Sequence, residues 1–343
     1  MKALFLIVAV LLTSQFASGQ WIKQTIDTTA SFRGLSVVNE KVIWASGTEG
    51  TVIRTIDGGQ HWNVIKVPDA DKLDFRDIEA FDANTAYILS IGNGESSRIY
   101  KTIDGGKSWN LQFKNTNEKA FFDAIACWDR NTCVAMSDPV DSKFVLIKTI
   151  NGGSKWEPMN TDTMPVAKDG EASFAASGTC LIIHGKNNLF LVTGGSDARV
   201  FKSIDRGRSW VVYGTPLTKG SAGSGIFSIA MFDDINGVIV GGNYEKVDEV
   251  TDSFASTTDG GKTWSLETGL GGYRSGVAYI KRKTLVAVGP TGADVLKEHK
   301  PIWGSTREEN FNAVQSKGPN AVWAVGTRGS ISQYIGMMTI TLQ

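Results

Sequence analysis

Apolar residues come in short runs, each closed by glycine. Val42-Ile43-Trp44-Ala45-Ser46-Gly47 is one, and Leu189-Phe190-Leu191-Val192-Thr193-Gly194-Gly195 is another. Val238-Ile239-Val240-Gly241-Gly242, Leu285-Val286-Ala287-Val288-Gly289 and Ala321-Val322-Trp323-Ala324-Val325-Gly326 repeat the form. Branched and aromatic side chains suit a pleated, buried strand, and glycine ends it. A shorter motif precedes most of these runs. It reads Phe32-Arg33-Gly34-Leu35, Phe75-Arg76-Asp77-Ile78, Phe122-Asp123-Ala124-Ile125, Phe227-Ser228-Ile229-Ala230 and Phe311-Asn312-Ala313-Val314. No long stretch keeps a helical period. The pattern predicts an all-β chain of many short strands.

A turn phrase recurs between these strands. Thr-Ile-Asp-Gly-Gly-Gln-His-Trp ends at Trp62, and variants end at Trp109, Trp156, Trp210 and Trp264. Its acidic position falls at Asp57, Asp104, Asn151, Asp205 and Asp259, in steps of 47, 47, 54 and 54. Glycine supplies positive φ, and a short acidic side chain can bond the backbone just ahead of it. The Trp five residues later is expected to bury its ring where one unit meets the next. A fixed period of this size predicts an array of equal units.

The phrase resembles the Asp-box of sialidases and other propellers. Asn151 departs from the acidic position, and Arg206 replaces the first glycine of the fourth copy. The resemblance implies a propeller and places the box on a hairpin away from any active site.

The unit pattern outlasts the boxes. Tyr273-Arg274-Ser275-Gly276-Val277-Ala278 opens a sixth unit, in which Lys297 to Trp303 replaces the box, and Phe311 opens a seventh that runs out after about three strands. Trp21-Ile22-Lys23-Gln24-Thr25 begins with Trp like the strand after each box. It is expected to supply the missing strand and close a seven-bladed β-propeller, which removes exposed sheet edges.

The first nineteen residues differ. Lys2, the apolar run Ala3 to Leu12 and Ala17-Ser18-Gly19 read as a secretory signal peptide, so the expected division is 1–19 signal and 20–343 propeller. The product is expected to be exported, soluble, without a transmembrane segment, and monomeric. Lys plus Arg and Asp plus Glu both number 35. That balance argues against nucleic acid as the main partner. Cys127 and Cys133 flank a turn, matching Val37 and Val42 of the first unit, and two readings stand: a cross-strand disulfide, or two small buried residues. Cys180 is left as a core thiol. With three histidines (His61, His184 and His299), none near the cysteine pair, no metal site is expected. No cofactor motif is present.

In a propeller, function sits at the channel mouth and rim loops. Arg33, Arg76, Asp123 and Asn312 hold one place in their units, and closure would gather them, with Arg274 one residue out of register. Such a group suits recognition of a carboxylate, a phosphate or a docking partner. An Arg–Asp network that solvates the wall is the competing reading. Longer loops at Asp138–Asp141, Asp162–Glu171 and Asn243–Glu249 are a second clue. No catalytic constellation is selected by spacing.

Boxes, Phe-Arg openings and strand-end glycines together resemble the photosystem II stability/assembly factor family and its non-photosynthetic bacterial relatives. That resemblance implies an exported, non-enzymatic propeller that binds a protein or peptide, such as a membrane-protein assembly intermediate, through an arginine patch. Arg33, Arg76 and Arg274 are its candidates here. The alternative is a sialidase-like glycoside hydrolase or carbohydrate-binding propeller.

Overall fold

A computed structural model describes residues 21–301 and 309–336. The segment expected to be a signal peptide and Trp303 lie outside the described residues. Those described form seven antiparallel sheets, one per unit, with a single short 3-10 turn, Gly94–Ser96, and no α-helix. Inner strands are Phe32–Val37, Phe75–Ala80, Phe122–Asp129, Leu181–His184, Ser224–Met231, Gly276–Lys281 and Phe311–Ser316, in blades I to VII. Each blade runs outward through a second, third and outer strand in meander order. The ring is closed as the repeat pattern predicts. Trp21–Lys23 pairs antiparallel with Ile331–Tyr334 as the outer strand of blade VII.

The five boxes are turns that bind themselves. Asp104 accepts from Ser108 N at 2.9 Å, Ser108 Oγ at 2.6 Å and Thr102 Oγ1 at 2.9 Å. Asp57, Asp205 and Asp259 make the equivalent bonds. Donors aimed at the carboxylate hold all four acids down at about 2. Asn151 keeps the turn with one oxygen, accepting from Thr149 Oγ1 and Lys155 N. Arg206 also keeps it, at φ 61°, where the other copies have glycine between 73° and 78°.

The box Trp sits just before the outer strand and reaches the preceding blade. Trp109 meets Trp44 edge-on at 6.5 Å, Trp156 meets Tyr87 at 6.4 Å, and Trp62 meets Trp323 of blade VII at 5.6 Å. Each such ring removes apolar area from water at the junction, worth about 2–3 kcal/mol.

Cys127 and Cys133 are direct cross-strand partners in blade III, with Cα atoms 4.0 Å apart, and are joined by a disulfide. The equivalent pair in blade I is Val37 and Ile43, one residue later than the sequence alignment placed it. Cys180 is free and fully buried.

Candidate functional site at the channel mouth

One residue in five of the inner strands is bulged out of the ladder where the strand begins. It is Arg33, Arg76, Asp123, Phe227 and Asn312 in blades I, II, III, V and VII, each leaving a gap in the register. A bulge re-aims a side chain, here toward the axis. The Phe-Arg opening is thus a core Phe followed by an axial residue. Blade V differs, because its core position is Ile226 and Phe227 itself takes the axial place.

Blade IV has no such opening. The chain before Leu181 instead enters the channel as a plug, and five blades hold it. Ser173 N donates to Asp138 Oδ1 at 2.8 Å, from blade III. Arg76 Nη1 and Arg33 Nη1 donate to the carbonyls of Ala175 and Ala176, both at 3.2 Å. Ser177 Oγ donates to Ser275 O at 2.7 Å in blade VI, and Thr179 Oγ1 lies 2.6 Å from Ser228 Oγ in blade V. Phe174 stacks on Phe227 with centroids 3.9 Å apart and planes 4° from parallel. The plug follows directly on the long segment Asp162–Glu171.

Above the plug is a cavity of about 470 Å³. Arg33, Arg76 and Asn312 line one side; Phe174, Phe227, Tyr244 and Tyr273 make an aromatic wall. Tyr273 packs edge-on against Phe227 at 4.7 Å. Tyr244 comes from the long Asn243–Glu249 loop. Arg76 Nε is bound to Asp74 at 2.7 Å. Arg33 has no carboxylate within 4.0 Å among the described residues, and burial with the Arg76 charge pushes its pKa down. An unneutralised guanidinium beside a second one favours an incoming anion.

Two of the five candidates do not line this cavity. Arg274 is 2% exposed and bonds Asp294 Oδ2 through Nε at 2.7 Å and Nη2 at 2.6 Å. Ser275 precedes the Gly276↔Val288 pair as Arg33 precedes Gly34↔Ser46, so Arg274 falls one position early and turns into the blade. Asp123 is buried, its Oδ2 without a partner among the described residues, and burial with nearby Asp138 pushes its pKa well up. The sequence reading missed the plug and Phe174, Phe227 and Tyr273. The lack of a Phe-Arg opening in the fourth unit was the available signal.

Below the plug the channel holds a cavity of about 600 Å³, lined by Asp77, Glu79, His184 and Lys317 among others. Asp77 accepts from Ile78 N and Ile125 N, tying blade II to blade III. Burial, with Asp77 beside it, pushes Glu79 up to about 8. A carboxyl whose folded pKa is raised is penalised once pH exceeds its unfolded value, and fully so above the folded one. Glu79→Gln is therefore expected to match the parent in denaturant unfolding at pH 4. At pH 9 it should exceed it by about 1 kcal/mol, since the channel is partly open to water. An equal difference at both pH values would remove the titration account.

Residues 13–116 match the family described as photosynthesis system II assembly factor YCF48. Among solved structures, one titled "YCF48 bound to D1 peptide" matches with a TM-score of 0.67 at 15% identity, covering 94% of this chain and 98% of the other. The chain is a seven-bladed Asp-box propeller resembling the photosystem II assembly factors. YCF48 from Cyanidioschyzon merolae matches this Asp-box propeller with a TM-score of 0.64 at 14% identity, over 92% and 98% of the two chains. The structure of U3-55K scores 0.64 at 12% identity, over 93% and 98%. At such identities the likeness carries the propeller fold. No curated protein matches the chain. Among the described residues of this Asp-box propeller, no helix is long and apolar enough to cross a membrane.

Proposed function

We propose that the protein is an exported, non-enzymatic assembly factor that docks a segment of a protein partner at the channel mouth. The observation that carries this reading is Arg33, half-buried and without a carboxylate partner among the described residues, facing a cavity walled by Arg76, Asn312 and four aromatic rings. That combination recognises an acidic group flanked by apolar side chains. Among the described residues no carboxylate lines the cavity, whereas the hydrolase reading needs either two facing carboxyl groups or, in the sialidase form, a tyrosine nucleophile with an acid partner. The related structure with a bound D1 peptide supports a peptide as the kind of partner, and a membrane-protein assembly intermediate is the class proposed. The Cys127–Cys133 disulfide suits an oxidising compartment and so supports export. The protein acts as a monomer in this reading.

Replacing Arg33 and Arg76 together by Ala should abolish capture of the partner in a crosslinking pull-down from the exported fraction. Paired Lys substitutions should restore part of it, because charge returns without the planar fork. Capture by the double Ala variant at the parent level would end this reading.

A further inference from the structure

A further cavity lies outside the channel, at the junction of blades III and IV. Three other junctions are filled by a box Trp against an aromatic residue of the preceding blade: Trp44, Tyr87 or Trp323. Those three follow the innermost pair of their hairpins, facing Ser36, Glu79 and Gln315. The blade III hairpin carries one further pair, Asp129↔Thr132, and its pair matching Val37↔Ile43 is Cys127↔Cys133, so the equivalent residue is Val134, facing Ala126. A valine in place of a large ring leaves a groove of about 550 Å³, within the usual range for a small-molecule site.

The groove has an apolar floor and a cationic rim. Trp128, Val134 and Met159 line it, and so do Lys148, Arg206 and Arg208, with no acidic residue in the lining among the described residues. None of the three cations has a carboxylate within 4.0 Å among the described residues. Glu157, the cross-strand neighbour of Lys148, is bonded to Lys155 at 2.5 Å. Arg206 stands where four other boxes carry glycine and keeps a positive φ of 61°. Its guanidinium lies 5.0 Å from the Trp128 ring centroid, and its Nε donates to Lys186 O at 2.9 Å. A side chain is thus held over the groove at a backbone position that disfavours one.

We propose that this groove binds a small organic anion, its flat apolar body against Trp128 and Met159 and its carboxylate on Arg206 and Arg208. Charge complementarity selects the anion, since the groove offers three cations and none of them has a carboxylate within 4.0 Å among the described residues. The missing aromatic ring selects the flat body.

The test titrates 2-naphthoate into the full chain and follows the Trp128 indole N–H by NMR. Saturable shifts are expected, with a Kd of order 0.1–1 mM for a ligand of this size. The neutral 2-naphthamide should bind roughly tenfold more weakly, the loss of a charge-assisted pair of hydrogen bonds. Arg206→Gly restores the residue of the other boxes and should fold, and Arg208→Ala leaves the turn untouched. Each should weaken naphthoate at least about fivefold. Val134→Tyr, which refills the junction, should block it. Equal binding of acid and amide, parent affinity in both Arg206→Gly and Arg208→Ala, or shifts confined to other parts of the molecule would overturn the proposal.

Discussion

A chain shortened to begin at Thr28 is expected to melt about 10 °C below the parent and to aggregate on heating. The shortening removes Trp21–Lys23, the outer strand of blade VII. Trp21 is 9% exposed, with its ring 5.0 Å from Phe311 and 5.4 Å from Tyr334. Loss of such a ring costs about 3–5 kcal/mol. The bond from Gln24 N to Ile331 O at 2.9 Å goes with it, as do the ladder bonds to Ile331–Tyr334. For a chain of this length, about 5 kcal/mol corresponds to a shift of order 10 °C. The aggregation has a separate cause. Ile331–Tyr334 becomes an unpaired edge, and such an edge templates pairing with another chain. Trp21→Ala separates the two effects: it should lower Tm without promoting aggregation, because the strand still covers the edge. A shortened chain that melts within about 2 °C of the parent would show that the closing strand contributes little, contrary to the size of the ring it buries.

The closure was legible because it rests on counting. A unit that ends one strand short, and a Trp-led segment at the other end, leave one way to finish a ring without exposed edges. The boxes were legible because each is local: Asp57 and His61, or Asp259 and Thr263, make their bonds within four residues. The axial residues were legible in blades I, II, III and VII, where Phe marks the core and the next residue is bulged. The same mark misleads in blade V. There Ile226 fills the core, and Phe227, which looks like the core Phe, faces the axis. Arg274 misleads for the converse reason. One residue of register turns it from the channel into a buried ion pair with Asp294, and the partner lies twenty residues away on another strand. The missing opening of the fourth unit marked only that blade IV differs, and the path of the plug was not legible. Its bonds join positions 99 and 143 residues apart, such as Arg76 to Ala175 and Arg33 to Ala176, and no local pattern encodes them.

Gly225→Ala is expected to cost about 3–5 kcal/mol in urea unfolding and to unseat the plug from the mouth. Gly225 pairs with Gly194 where blade IV meets the inner strand of blade V. A Cβ on Gly225 would lie 2.2 Å from the Gly194 Cα and 3.2 Å from Phe174 Cε2. The obstacle in front of it is backbone, so no rotamer change relieves it. The residue also sits at φ 147°, which L side chains rarely adopt. The two backbones would have to part, and the Phe174 ring of the Phe174–Phe227 stack lies against both glycines. Two controls apportion the cost. Gly220 has φ 98° with nothing within 4 Å of its would-be Cβ, so Gly220→Ala should show backbone strain alone, about 1 kcal/mol. Gly214 has neither strain nor neighbours, and Gly214→Ala should be near neutral. If the glycine contact positions the plug, Gly225→Ala should also lose the near-UV dichroism of the stacked rings at temperatures where the blades are still folded. Loss of stability with the ring signal intact would mean that Phe174 is held by Phe227, Tyr244 and Tyr273 without help from the glycine pair.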